Sequence, residues 1–339
     1  MPTVLGAGSV GLAIAAQLAA AGRSVRIVAR RAEAAQALAG GLVAEDPIAG
    51  GERRFAVLAV ADLAALPTPV GDGTVFVCTR APDAAEAARA LARHAPRALA
   101  VAVQNDLTGG EALAGSLRRV VAAVWRQTAT RAADARVRFH GAGRIVVGAE
   151  PGCETAADAA ALAADLAAAG LDAACSARIR EDQWLKLCVN LMSAPNALVR
   201  RDDHATEAFV EAKARLLEEA RAALAAAGIR AASCDGRDRD LDGEIAHQRR
   251  SLAQGTSARR VPLYNHVWTG LREGRALEAP SYHRRIVDLA AEHGLPAETN
   301  RRLLEVLVRA EREKLGPECI GAAELLHGAG PVAAGRIAR

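Results

Sequence analysis

Hydrophobic positions follow two regimes along the chain. Up to about residue 177, short apolar runs alternate with amphipathic stretches. The runs are Thr3–Leu5, Val25–Ala29, Phe55–Val60, Thr74–Cys78, Ala98–Val103, Val120–Val124 and Arg144–Val147, each of strand length. Helical stretches separate several of them, for example Ala84–His94, and a last one is expected over Ala156–Ala169, closed by Gly170. This alternation predicts an α/β fold with a parallel, doubly wound sheet. From Arg178 a helical period dominates: Asp182–Leu191, Glu207–Ala227, Arg285–His293 and Arg301–Lys314, with Gly228 and Gly294 where C-caps belong. The second domain is therefore expected to be mostly α-helical. The polar, charge-dense Asp235–Gly255 reads as a surface loop or an exposed helix, and the small-residue tail Gly316–Arg339 as partly disordered. The expected divisions are 1–177, 178–315 and 316–339, with no internal repeat.

The first strand runs into Gly6-Ala7-Gly8-Ser9-Val10-Gly11, and the helical pattern Leu12–Leu18 leaves it. A GxGxxG between a strand and a helix, followed by a second strand, is the βαβ opening of a Rossmann-type dinucleotide-binding domain. Gly6 permits the tight turn, Gly8 leaves room for a pyrophosphate, and Gly11 lets the helix pack close to the strand. The helix N-terminus offers free N–H groups and partial positive charge to the phosphates. Gly6 to Gly11, including Ala7, Ser9 and Val10, are the cofactor-loop candidates.

The end of the second strand narrows the cofactor. An acid there would bind a ribose 2′-hydroxyl, but the chain carries Arg30-Arg31 and no acid before Glu33. Guanidinium groups bind a 2′-phosphate in a fork. The expected cofactor is NADP(H), with Arg30 the first candidate and Arg31 the second.

Composition excludes more than it selects. The 339 residues suit two domains, and the net charge of +4 is spread without a long basic run. Aromatics make up 3%, so no nucleic-acid surface is indicated. No window has transmembrane length free of charge, and the glycine loop starts too near Met1 for a signal peptide. A cytoplasmic protein with no membrane partner is expected, with a homodimer among its assemblies. Six cysteines lie far apart without CxxC spacing and read as reduced, mostly buried thiols; eight scattered histidines make a metal site unexpected.

Lysine is rare: Lys186, Lys213 and Lys314 are the only three among 43 basic residues. Trp184-Leu185-Lys186-Leu187-Cys188-Val189-Asn190 places Lys186 and Asn190 four apart, on one helix face flanked by apolar residues. An ammonium and an amide there need partners, and a cleft facing a cofactor would supply them; a lysine snorkelling to the surface is the alternative. With this segment, the glycine loop, the arginine after the second strand, Val103-Gln104-Asn105, Gly141–Gly148, Gly274-Arg275-Ala276-Leu277-Glu278 and Glu292-His293-Gly294-Leu295-Pro296, the chain resembles the ketopantoate reductases (2-dehydropantoate 2-reductases) over roughly residues 2–315.

The resemblance implies roles. Lys186 would be the general acid that protonates the carbonyl oxygen and stabilises the developing alkoxide. Glu278 would hold Lys186 and bind the product hydroxyl. Asn190 would bind substrate polar groups, and Asn105 would stand beside nicotinamide and substrate. Arg80 takes the place of a lysine facing cofactor phosphate or ribose, and Ala129, within Thr128-Ala129-Thr130, loosely matches the segment backing the nicotinamide. The implied activity is NADPH-dependent reduction of a 2-oxo acid, ketopantoate or a related ketone.

The departures from the family pattern lie on the substrate side. A second asparagine eight residues after the lysine is Ala194, with Pro195 kept and Asn196 nearby. An aspartate is Gly270, the Glu–x–Asp is Glu278-Ala279-Pro280, an asparagine–glycine falls at about His283-Arg284, and an Asn–Gly is Asn105-Asp106. Gained residues include Trp268 and His266, the latter a candidate second acid, carboxylate ligand or structural histidine. These changes point to a different or bulkier 2-oxo acid or ketone. Two other classes remain open: a non-catalytic NADP(H)-binding sensor or regulatory protein, and an opine- or imine-type reductase on the same two-domain plan.

Overall fold

The computed structural model describes residues 1–46, 50–253 and 265–327. The chain separates into two compact units, Met1–Gln183 and Trp184–Arg339, and the division falls inside one helix.

The first unit runs β1 (Thr3–Leu5), α1 (Ser9–Ala20), β2 (Arg26–Val28), α2 (Ala32–Ala39), β3 (Leu42–Glu45), β4 (Glu52–Phe55), β5 (Leu58–Val60), β6 (Thr74–Val77), α3 (Ala84–His94), β7 (Leu99–Ala102), α4 (Thr108–Ala114), β8 (Val120–Trp125), β9 (Ala129–Ala133), β10 (Arg136–Phe139), β11 (Ile145–Ala149), α5 (Ala156–Ala168) and β12 (Ala173–Cys175). Six parallel strands in the order β5-β2-β1-β6-β7-β8 form the doubly wound sheet of a dinucleotide-binding domain. Both faces are covered. Leu12, Ile14 and Leu18 of α1 and Leu162 and Leu166 of α5 pack on one; Ala88 and Leu91 of α3 and Leu113 of α4 pack on the other.

Two expectations for this unit are corrected. The sheet is not wholly parallel, because β11 lies antiparallel to β8, with β12 parallel beyond it. Phe55–Val60 is not one strand; Phe55 ends β4 and Leu58 begins β5, in different sheets. That second sheet, β4-β3-β10-β9, is absent from the apolar pattern because its strands are held by charge as well as packing. Arg136 and Arg138 both donate to Glu45, at 2.5 and 2.6 Å, and hold its carboxyl below the usual range. The sheet packs on α1, which explains why that helix is apolar nearly all round: residues Gly11 to Ala16 and Leu18 are buried.

The connecting helix α6 (Ile179–Leu191) leads into the second unit: α7 (Ser193–Leu198), α8 (Glu207–Ala226), α9 (Leu241–Ala253), α10 (His266–Arg272), α11 (Ala279–Glu292), α12 (Glu298–Glu313) and α13 (Ala322–His327). Helix α8 is the hub against which α9, α11, α12 and α13 pack. Thr206 caps it, accepting a bond from the Phe209 N–H. Gly228 and Gly294 take left-handed φ values of +66° and +65° after their helices. Helix α11 begins six residues before the expected Arg285, because Pro280 lies in its first turn, where a missing N–H costs nothing. The segment after Asp235 is not an exposed helix. Leu241, Glu244, Ile245 and Gln248 of α9 are buried in a stripe, and Gln248 Nε2 donates to Glu244 at 2.6 Å. Of the tail, residues to His327 are ordered, with α13 seated on α8; the rest of the expected disordered tail, 328–339, lies outside the described residues. Among the described residues no helix is long and apolar enough to cross a membrane.

Candidate functional site

In the first unit the candidate residues gather at the C-terminal edge of the parallel strands. Gly6 follows β1 with φ +111°, and its N–H donates to Val28 O at 2.9 Å. A Cβ on Gly6 would lie 2.9 Å from the Cys78 carbonyl, and one on Gly11 would lie 1.9 Å from Gly6 O. A Cβ on Gly8 would meet nothing within 4 Å among the described residues. The loop is closed against protein at its two ends and open at its centre, where an anion would approach. No acidic side chain occupies the first turn of α1, and the Gly8 N-cap supplies no capping group. The N–H groups there are thus left for a ligand. Ser9 Oγ accepts from the Arg131 N–H at 3.0 Å, tying the loop to β9, while Ala7 and Val10 pack on the core.

Arg30 and Arg80, 50 positions apart in sequence, meet at one carboxylate. Arg30 Nη1 lies 3.6 Å from Asp83 Oδ1, and Arg80 Nε donates to Asp83 Oδ2 at 3.2 Å. Arg31 is not brought to them; it pairs with Asp134, which Arg131 also approaches at 3.5 Å. Asn105 lies half-buried just past β7. Its neighbours fix it: Gln104 Nε2 donates to Val77 O at 3.0 Å, and Asp106 accepts from Thr108 Oγ1 and the Gly109 N–H. Asp106 therefore braces the first turn of α4 from one residue before its N-cap. Ala129 opens β9, half-buried, two residues after a Gln127 that accepts from Gln17 at 2.6 Å.

The foot of α6 is anchored within the first unit. Arg180 Nη2 donates to the buried Glu150 at 2.8 Å, and Ser176 Oγ donates to Asp182 at 2.6 Å. Burial pushes the Glu150 carboxyl up, against the opposing pull of Arg180.

In the second unit, α6 buries Trp184, Leu185, Leu187, Cys188 and Leu191, and Lys186 stands half-buried; of the six cysteines expected mostly buried, only Cys188 is, because it faces the apolar side of this helix. Asn190, on the same helix face, is buried, and its Nδ2 has no hydrogen-bond partner among the described residues. Such a donor is a natural ligand contact. His266 opens α10, close enough to Lys186 for the ammonium to act on it. Its N-cap Asn265 accepts from the Trp268 N–H at 2.9 Å and donates to Ser193 O at 2.8 Å, tying α10 to the start of α7. Although His266 keeps an open face, surrounding protein and Lys186 push its imidazole down to about 4. The ring is therefore neutral at pH 7. The His266 ring lies 6.3 Å from the Tyr282 ring at 64°, edge to face. Tyr282 OH donates to Glu278 Oε2 at 3.1 Å. His266, Tyr282 and Glu278 thus form one connected cluster drawn from α10, α11 and its N-cap, within electrostatic reach of Lys186 on α6.

Two departures on the substrate side have packing explanations. Ala194 is fully buried in α7. Gly270 is buried too, and a Cβ there would lie 2.6 Å from Leu277 Cδ2, so Leu277 fills the space a longer residue would need. Trp268 donates from Nε1 to Glu318 at 3.2 Å, and Arg272 lies over its ring. The sequence reading missed Asp83 and Tyr282. Each had a local signal, three residues after Arg80 and four after Glu278, the spacings of helical neighbours.

Beneath this cluster His283 is fully buried. Its Nδ1 donates to Asn300 Oδ1 at 2.9 Å, because Asn300 Nδ2 is already donating to Glu219 and Leu216 O. Its Nε2 has no hydrogen-bond partner among the described residues, and burial pushes the imidazole down to about 4. In the unfolded chain the same group would titrate near 6.5. Between these values the unfolded state holds the extra proton, so stability is full above pH 6.5 and is lost as pH falls towards 4. The expected slope from this group is about 1.4 kcal/mol per pH unit. Chemical denaturation from pH 7 to 4 should show a flatter decline for His283→Asn than for the parent; parallel curves would refute it.

Comparison with known proteins bears on both units. A family model described as Ketopantoate reductase PanE/ApbA matches residues 3–152, and its companion, Ketopantoate reductase PanE/ApbA C terminal, matches residues 178–311. A 2-dehydropantoate 2-reductase of Halobacterium salinarum is 27% identical over 251 residues, 73% of this chain and 79% of its own. Among solved structures, a PanE/ApbA family ketopantoate reductase from Ralstonia eutropha JMP134 aligns with TM-score 0.73 and 25% identity, over 93% of this chain and 99% of its own. D-mandelate dehydrogenase, solved with NADH and anilino(oxo)acetate, aligns with TM-score 0.74 over 93% of this chain and 99% of its own; at 18% identity it shares the fold.

Proposed function

The chain belongs to the ketopantoate reductase PanE/ApbA family, and from that premise we propose that it reduces a 2-oxo acid or related ketone to the hydroxy compound, with NADPH as reductant and Lys186 as general acid. The observation that carries the proposal is the joined set His266, Tyr282 and Glu278 within electrostatic reach of Lys186, whose own helix face carries the Asn190 amide with an unspent donor among the described residues. When bound, the reduced dinucleotide supplies the hydrogen and electron pair that the carbonyl carbon takes up. Lys186 donates its proton to the carbonyl oxygen, so the product is the neutral alcohol and the lysine reloads from solvent. Asn190 Nδ2 donates to an oxygen of the substrate. His266, neutral, offers one ring N–H and one acceptor without adding a second positive charge beside Lys186. Glu278 accepts from the product hydroxyl and favours the charged form of the lysine.

The open centre of the Gly6–Gly11 loop and the free first-turn N–H groups of α1 fit a pyrophosphate. Arg30 and Arg80, already converged, fit a 2′-phosphate, which would replace Asp83 as their partner. Asp83 also favours a second reading, NADH as the reductant, since its carboxylate already satisfies both guanidinium groups. One experiment separates these readings: loss of NADPH or NADH absorbance with a panel of 2-oxo acids, ketopantoate first. Turnover with NADPH is expected, and Arg30→Glu should shift preference towards NADH by about tenfold or more, the worth of one charge-assisted hydrogen bond. NADPH binding without turnover on any 2-oxo acid would favour a sensor, and equal loss of both cofactors in Arg30→Glu would reduce Arg30 to a structural role.

A further inference from the structure

On the reading just given, we propose that Tyr282 is a positioning residue that aims the Glu278 carboxylate and backs the His266 ring. Tyr282 is fully buried, so its phenol must find a partner inside the protein. The partner it takes is the half-buried carboxylate four residues earlier, through a 3.1 Å bond to Oε2. That bond leaves Glu278 Oε1 as the oxygen free to turn to a ligand, and it selects one carboxylate rotamer out of several. Two residues on one turn are neighbours on a helix face, so the geometry needs no other element. The Tyr282 ring performs a second task. Its edge-to-face contact, 6.3 Å between ring centroids at 64°, supports His266.

The next residue makes Tyr282 stiff enough for this. His283 is locked to Asn300, and Asn300 to Glu219, which also accepts the backbone N–H groups of Thr299 and Asn300 at the start of α12. Consecutive residues of α11 therefore do opposite things: His283 ties the turn to α12 and α8, while Tyr282 holds the polar groups of the Lys186 cluster.

The test is a double-mutant cycle on the best 2-oxo acid found, with Tyr282→Phe, Glu278→Ala and the pair. Tyr282→Phe keeps the ring and removes the hydroxyl. Its kcat should fall about tenfold, the worth of one bond to a charged group, with the KM for NADPH and the melting temperature close to the parent's. In the Glu278→Ala background the same change should cost nothing further, because its effect runs through that carboxylate. Parent-level kcat in Tyr282→Phe, or an equal loss in both backgrounds, would overturn the proposal. If the parent reduces no 2-oxo acid, that failure belongs to the proposed function. The contact with His266 is then read by NMR titration of its ring. The ring should titrate as in the parent in Tyr282→Phe and nearer the ordinary value in Tyr282→Ala; the same midpoint in both would refute the support of His266.

Discussion

Lys186→Ala should lower kcat by about a thousandfold or more while leaving NADPH affinity nearly unchanged. The magnitude combines two losses. A positioned general acid is worth about 10²–10⁴ in rate, and a fixed positive charge near a developing alkoxide adds its own electrostatic share. A thousandfold corresponds to about 4 kcal/mol of transition-state stabilisation. Fold should survive, because Lys186 is only half-buried and its helix is seated by Trp184, Leu185, Leu187, Cys188 and Leu191. The charge is also what helps keep His266 neutral, so the alanine variant should raise the His266 titration from about 4. That gives a readout independent of turnover. Steady-state kinetics with fluorescence titration of NADPH decides the matter: a variant within tenfold of the parent would remove Lys186 from the chemistry.

A pair of glycine substitutions should separate stability from cofactor binding in the N-terminal loop. In Gly11→Ala the new methyl would lie 1.9 Å from Gly6 O, so α1 must move off the β1 loop. Overpacking of this severity costs about 3 kcal/mol. It also withdraws the first-turn N–H groups from the phosphates; losing one or two charge-assisted bonds weakens NADPH binding by about a hundredfold. Gly8→Ala meets nothing within 4 Å, so its melting temperature should match the parent's. Binding should still fall, because the methyl would stand where the pyrophosphate approaches. Calorimetric titration with NADPH and thermal melts check both. Undiminished binding by Gly8→Ala would show that the loop does not cradle the phosphates.

The parts of the molecule legible in advance were those whose causes are local. The helix Ala84–His94 has the expected bounds, since its apolar stripe and its ends are written in consecutive residues. The glycine loop sits between β1 and α1 for the same reason. The second sheet was not legible, because β4 is Glu52-Arg53-Arg54-Phe55, a string that reads as solvent-facing until Glu45 and Arg136 come alongside. The early start of α11 was hidden by Pro280, which punctuates a helix interior but fits its first turn. Among the site residues, Lys186 and Asn190 could be placed on one face from their spacing alone. That His266 comes within electrostatic reach of Lys186, and that the Glu278 carboxylate is held by Tyr282, could not, since 80 and 92 positions separate His266 and Glu278 from Lys186 in the chain.

By itself, then, the order of residues determined the doubly wound sheet, the helical second unit and the βαβ opening with its glycines. These follow from hydrophobic period and turn chemistry, which act over a few residues. Only the tertiary structure decided which charges meet. It gave Arg30 and Arg80 one carboxylate to share and sent Arg31 to Asp134. It brought His266 within the field of Lys186 and turned Gly270 into a packing position against Leu277. Electrostatics and steric fit depend on distances of a few ångströms between residues remote in sequence, and folding alone sets those distances.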